Sequence, residues 1–213
     1  MYSSKGQLLN HFREHATIYV FMIILFVTGV IFGAVIVNSM NVIQKQELFF
    51  YLEKFFGQIA SESQISSSEV FKNSFLYHAK YLLLLFILGL SIIGLPIVWI
   101  LLFIKGLVVG FTVGFLVNQL GMEGFLLASF SIAPQNFIII PVYIIAGSLS
   151  MIFSLILLNK LFSRRVTEPV LQPFGKYLSV YLGLFIFAMC AGALEAFVAN
   201  EAMSSFIQSY FSK

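Results

Sequence analysis

The sequence predicts an all-α integral membrane protein, a five-span helical bundle with its N-terminus in the cytoplasm and its C-terminus outside. Three observations predict it. Hydrophobic residues make up 60% of the 213 and charged residues only 10%, with a mean hydropathy of +0.97. So few charges cannot cover even one soluble domain, and the apolar surface must face lipid. Long runs without a charge recur along the chain, and small residues recur at every fourth position inside them, as close helix packing in lipid requires. The net charge of +3 does not mark a nucleic-acid partner. The basic residues are scattered and sit at the ends of apolar runs, which is a pattern of membrane orientation.

A cytoplasmic tail, 1–16, leads into the first span, 17–37 (TIYVFMIILFVTGVIFGAVIV). That run is long enough to cross a hydrocarbon core at helical rise. It is too long for a signal-peptide core and no A-x-A site follows it, so it reads as an uncleaved anchor. Residues 38–80 turn polar and form an extracytoplasmic segment too small for a catalytic domain. Within it Leu48, Leu52, Phe55 and Ile59 fall on one face, which predicts an amphipathic helix over 44–59 that lies on lipid, in a partner groove or against the protein's own helix ends. Ser66 and Glu69 have capping-box spacing for the next helix. Residues 81–119 hold spans two and three as a tight hairpin, with Gly94, Pro96 and Lys105 marking the turn. A short broken helix, 120–136, follows. Proline removes an amide donor and disfavours helix before it, so Pro134, Gln135, Asn136 and Pro141 mark a break ahead of span four, 137–158. A basic cytoplasmic loop, 159–176, span five, 177–199, and an extracytoplasmic tail, 200–213, complete the order.

Orientation follows from the basic residues, which favour the cytoplasm. With the N-terminus inside, Lys5, Arg13, Lys105, Lys160, Arg164, Arg165 and Lys176 lie inside, seven of the twelve lysines and arginines. They also occupy much shorter segments than the other five.

Gly29 and Gly33, then Gly106, Gly110 and Gly114, strip side chains from one face of their helices so that another backbone can approach. Ala146, Ser150 and Ser154 repeat the spacing, as do Ala188, Gly192 and Ala196. These are packing faces of a compact bundle, open also to a homo-oligomer, with Leu107 expected to face lipid.

Catalytic patterns are sparse. His11-Phe-Arg-Glu-His15 matches the H-x-x-E-H zinc-peptidase pattern but sits on a short tail without a third ligand. His78 is expected at the outer mouth of span two, away from any serine partner, and Gly147-Ser-Leu-Ser150 reads as small-residue packing. Ionisable groups at membrane depth are functional candidates by default. Lys105, Glu123 and Glu195 are each placed near a span end, where snorkelling satisfies them. Cys190, the single cysteine, lies in an apolar stretch and reads as a buried small hydrophobe. No P-loop, dinucleotide fingerprint or cysteine–histidine cluster occurs. No catalytic, cofactor-binding or metal residue is assigned, and no enzymatic activity is expected.

The stretches LPIVWILLFIKGLVVGFTVGFLVNQ (95–119) and PQNFIIIP (134–141), with the Arg13-Glu-His15 approach to span one and the Gly33 to Asn41 exit from it, resemble the stage II sporulation protein M family of endospore-forming bacteria. The similarity runs over nearly the whole chain. It implies a role in engulfment, in the mother-cell membrane that migrates around the forespore. It also implies two peptidoglycan-degrading partners, stage II sporulation proteins D and P, for which the family's sporulation member is a membrane anchor. The wider family tends to show Pro-His-Gly with a glutamate before the second proline, where this chain has Gln135, Asn136 and Ile139. Loss of those ionisable groups favours a non-enzymatic scaffold. A transporter or lipid-moving protein using the break at 133–141 is the alternative, since half-helices at a midplane are a transporter feature.

Overall fold

The computed structural model describes residues 13–61, 67–162 and 171–199. Among them the chain is helical: α1 Ala16–Ser39, α2 Val42–Ser61, α3 Ser67–Gly89, α4 Gly94–Leu127, a π-helical turn Ala128–Ile132, α5 Ala133–Phe162, α6 Leu171–Leu194 and a second π-helical turn Glu195–Ala199. Three stretches are long and apolar enough to cross a membrane: Ala16–Ser39, Gly94–Phe162 and Leu171–Phe197. The middle one, 69 residues long, contains α4, the π turn and α5. Isoleucine, valine, leucine and phenylalanine side chains point outward along all of these helices, a surface suited only to hydrocarbon. The chain is membrane-embedded.

α1 and α4 run parallel. Gly106 faces the Phe26 carbonyl and Gly110 the Val30 carbonyl, while Gly29 faces Phe103 and Gly33 faces Leu107. α3 and α5 are also parallel, in a register that is constant along their length: His78 meets Tyr143, Ser150 meets Leu85 and Ser154 meets Gly89, each 65 residues apart. α6 runs antiparallel to both, with Tyr177 against Phe86 and Ser150, and Gly192 beside Phe75. Met22, Leu82, Leu85, Val98, Leu102, Tyr143, Ala146, Tyr181 and Ala188 form the core where these five helices meet.

Ser150 and Ser154 are more than small. Ser150 Oγ donates to the Leu85 carbonyl at 2.8 Å and lies 2.7 Å from Tyr181 Oη. Ser154 Oγ reaches the Gly89 carbonyl at 2.8 Å and the Ser91 carbonyl at 3.0 Å. The Gly89 carbonyl ends α3, where the last turn lacks intrahelical donors; Leu85 lies one turn earlier and Ser91 in the turn that follows.

The hairpin between α3 and α4 turns over residues 90–93, with Gly94 opening α4. Lys105 does not mark that turn. It lies about 16 Å further along the helix, at 1.5 Å per residue. α3 begins at Ser67, so it takes up polar sequence that hydropathy assigned to the extracytoplasmic segment; Ser66 lies outside the described residues.

The chain reverses at Gly121, whose φ of 58° and ψ of −127° suit glycine alone. Pro134 does not end the helix: it follows the π turn Ala128–Ile132 directly, with Ala133 still in helical backbone and its N–H on the Ala128 carbonyl, and the widened turn accommodates a residue that cannot donate. Asn136 Nδ2 donates to the Ile132 carbonyl at 2.8 Å, bracing the junction with the π turn. Pro141 sits inside α5 and leaves the Phe137 carbonyl without its usual donor. Cys190 is exposed on the outside of the bundle rather than buried. A single thiol is apolar enough for lipid, so its apolar sequence context did not distinguish the two environments.

Candidate functional site

The glycine face expected from sequence forms the α1/α4 crossing. A Cβ placed on Gly29, Gly33, Gly106 or Gly110 would collide with a backbone carbonyl of the opposite helix. The two backbones therefore interlock, each helix seating its carbonyls where the other has no side chain. Gly114 is looser, with Ala34 Cα 3.4 Å from such an atom, and Gly192 stands at the same distance from the Phe75 amide nitrogen. Beyond Gly110 the helices diverge into a groove of about 470 Å³ lined by Val30, Ala34, Val37, Val113 and Val117, with Asn38 and Asn118 at its end. Leu107 is half-buried, with its backbone against Gly29 and Gly33. Ile104 and Val108 carry the outward face.

α2 stands apart from the bundle. Asn41 and Gln44 cap its start reciprocally, Gln44 N–H donating to Asn41 Oδ1 at 2.9 Å and Asn41 N–H to Gln44 Oε1 at 3.1 Å. This is a capping box in amide form. Leu52 packs on a small cluster of Leu116, Leu127 and Ala128 at one end of α4. Val42, Ile43, Phe50 and Tyr51 point outward. The side chains of Phe55 and Ile59 lie outside the described residues. Pro134, Gln135 and Asn136 are half-buried at the foot of α5, near the same end of the bundle, and Pro141 is exposed.

A cluster of polar side chains inside the bundle escaped the sequence reading. His78 is buried on α3, with Nδ1 2.7 Å from Tyr143 Oη on α5. Its Nε2 lies 3.9 Å from Glu195 Oε2, which opens the π turn after α6. Ser74 donates to the same Glu195 oxygen. Lys105 reaches in from α4: Nζ donates to Tyr77 Oη at 2.6 Å and lies over the rings of Tyr77, Tyr81 and Tyr143 at 4.3, 4.7 and 5.1 Å. Three electron-rich ring faces surround the half-exposed ammonium, contacts worth about 0.5–1 kcal/mol where water still reaches the cation. Tyr81 Oη donates to the Leu101 carbonyl at 2.9 Å, fixing its ring against α4. Four elements thus bring one cation, one carboxylate and one imidazole together.

Each of these groups looked peripheral in sequence because each was placed by its distance from a hydropathy boundary. The readable signal was spacing: Ser74, Tyr77, His78 and Tyr81 repeat every three or four residues along one helix face, entering an apolar run. Among the described residues no group of three or more histidine, cysteine or acidic side chains has metal-binding geometry. His11 of the H-x-x-E-H pattern lies outside the described residues.

No curated protein and no solved structure matches the chain. One family model does: Stage II sporulation protein M, over residues 22–200. The match spans α1 to the second π turn, taking in the glycine crossing, α2 and the polar cluster. The chain therefore belongs to the stage II sporulation protein M family.

Proposed function

We propose that this chain is a non-enzymatic membrane scaffold of the engulfment machinery, holding peptidoglycan-degrading partners at the outer face of the mother-cell membrane and at the sporulation septum. Membership in the family implies a role in sporulation. The observation that supports the scaffold reading is α2, a capped helix set beside the bundle end with Phe50 and Tyr51 more than 60% exposed. Unpartnered aromatic side chains on a helix outside the spans suit a protein groove. Five spans with the N-terminus inside put α2, Gly121 and the start of α5 on the extracytoplasmic side, where wall hydrolases act. Stage II sporulation proteins D and P are the partners this reading assigns. A scaffold contributes position and effective concentration rather than chemistry.

Because Leu52 turns toward α4, outward contact falls to Phe50 and Tyr51. Replacing both by Ser should abolish co-purification of D and P from sporulating cells at unchanged membrane abundance. The triple change Leu52→Ser, Phe55→Ser, Ile59→Ser should do the same by releasing α2 from the bundle. Retention of both hydrolases by the Phe50, Tyr51 variant overturns the reading.

A transporter reading draws on Lys105 and Glu195, since ionisable groups at membrane depth mark substrate and ion pathways. Substrate-dependent flux in liposomes containing the purified chain would establish it, and flux that survives Lys105→Gln and Glu195→Gln would refute this placement of the path.

A further inference from the structure

Where α1 and α4 diverge beyond Gly110, the groove between them has walls of one kind and an end of another. Val30 and Val37 of α1 and Val109, Val113 and Val117 of α4 supply its side chains. Valine in a helix is held to one rotamer and is too short to cross the gap, so none of these side chains can swing in to fill it. The gap is also narrow. A Cβ at Gly114 would lie 3.4 Å from Ala34 Cα and 3.8 Å from Val37 Cγ2. A helix about 10 Å across cannot seat itself there, whereas an unbranched hydrocarbon chain, with carbon contacts of about 4 Å, can. The other end is polar, closed by Asn38 and Asn118. Both side chains are exposed, and whichever way its amide is turned, each offers N–H donors as well as an acceptor. Asn38 is the penultimate residue of α1, whose 24 residues rise about 36 Å and so outreach a hydrocarbon core of about 30 Å. The amides therefore stand where hydrocarbon gives way to headgroups, and the groove runs from them toward the middle of the span, about 12 Å to Val30.

We propose that this groove binds one acyl chain of a glycerophospholipid, the chain lying between α1 and α4 and its ester carbonyl accepting a hydrogen bond from Asn38 or Asn118. Apolar walls followed by amide donors match such a lipid in the order in which it enters, chain first and glycerol ester at the boundary. Recognition rests on the chain and the ester rather than on the headgroup. Seated there, the lipid fills a space that no side chain of the lining reaches and braces the end of α1 just before Asn41 starts α2. The inference does not depend on the scaffold reading.

The experiment uses the full chain in nanodiscs containing phosphatidylglycerol that bears a photoactivatable diazirine in one acyl chain, with adducts located residue by residue by mass spectrometry. Val30 and Ala34 in the groove should be labelled several-fold more than Ile31 and Val35, which stand at the same height on the outward face of α1. Ala34→Leu, which fills the groove from its exposed rim, should remove that excess, and Ile104→Phe on the outward face of α4 should leave it. Asn38→Ala with Asn118→Ala keeps the apolar walls and should reduce the excess several-fold. Phosphatidylethanolamine with the same diazirine chain should label the same residues. Equal labelling of the four α1 positions means annular lipid only and overturns the site, a result that needs no variant to fold. An excess that survives Ala34→Leu at normal membrane abundance overturns it too, and an excess indifferent to both asparagines overturns the ester contact.

Discussion

At Gly110 the absence of a side chain is itself the structural element: the Val30 carbonyl occupies the space a Cβ would need. Gly110→Leu should force α1 and α4 apart at a cost of about 1–3 kcal/mol. Ile104→Phe, on an outward position 46% exposed, should be neutral. Membrane abundance measured by immunoblot, together with thermal stability in detergent, compares the two, and equal tolerance would refute the interlock. Gly29, Gly33 and Gly106 were readable from spacing alone, because a four-residue stripe of small side chains has few other uses in lipid. Lys105 was not. Its charge marked a helix end by the usual rule, yet Tyr77, Tyr81 and Tyr143 supply ring faces from two other helices. Such a solvation shell is assembled from residues far apart in sequence, and no window along one helix contains it.

At the level of elements, α2 shows what a few local hydrogen bonds decide. It has little bundle contact beyond Leu52, so its start depends on the Asn41–Gln44 exchange. Asn41→Ala should cost about 1 kcal/mol of local helix stability. Hydrogen exchange at the amides of residues 44–48 should accelerate several-fold, while α5 amides stay unchanged. Unaltered exchange at 44–48 would show that tertiary contact, not capping, holds the helix. The amphipathic pattern made α2 legible over most of its length. The start of α3 was less so, because Ser74 and His78 are buried against partners that hydropathy cannot register. A break ahead of span four was assigned to Pro134 and its neighbours on the ground that proline breaks helices. The helix instead continues from the π turn through Pro134, and the chain turns at Gly121, with its positive φ.

Across the whole molecule, the parallel pairs α1/α4 and α3/α5 and the antiparallel α6 suit a bundle whose Ser39 and Gly121 ends share one side. A Cys190→Ala chain carrying Glu47→Cys should react with a membrane-impermeant maleimide in intact protoplasts. Phe162→Cys should react only after permeabilisation. The reverse pattern would invert the orientation, and labelling of both in intact protoplasts would change the span count. Composition was enough to read an all-helical membrane chain; which helices touch was not, since parallel neighbours far apart in sequence follow from side-chain complementarity rather than connectivity. The α1/α4 crossing also has a mechanical meaning. Its glycine notches and carbonyl ridges mesh at four-residue intervals, about 6 Å of helix rise, so the pair behaves as a rack rather than a slide. A load pulling on α2 would reach α1 through Asn41 and meet a helix that cannot creep along its neighbour; it must either hold its register or jump a full notch.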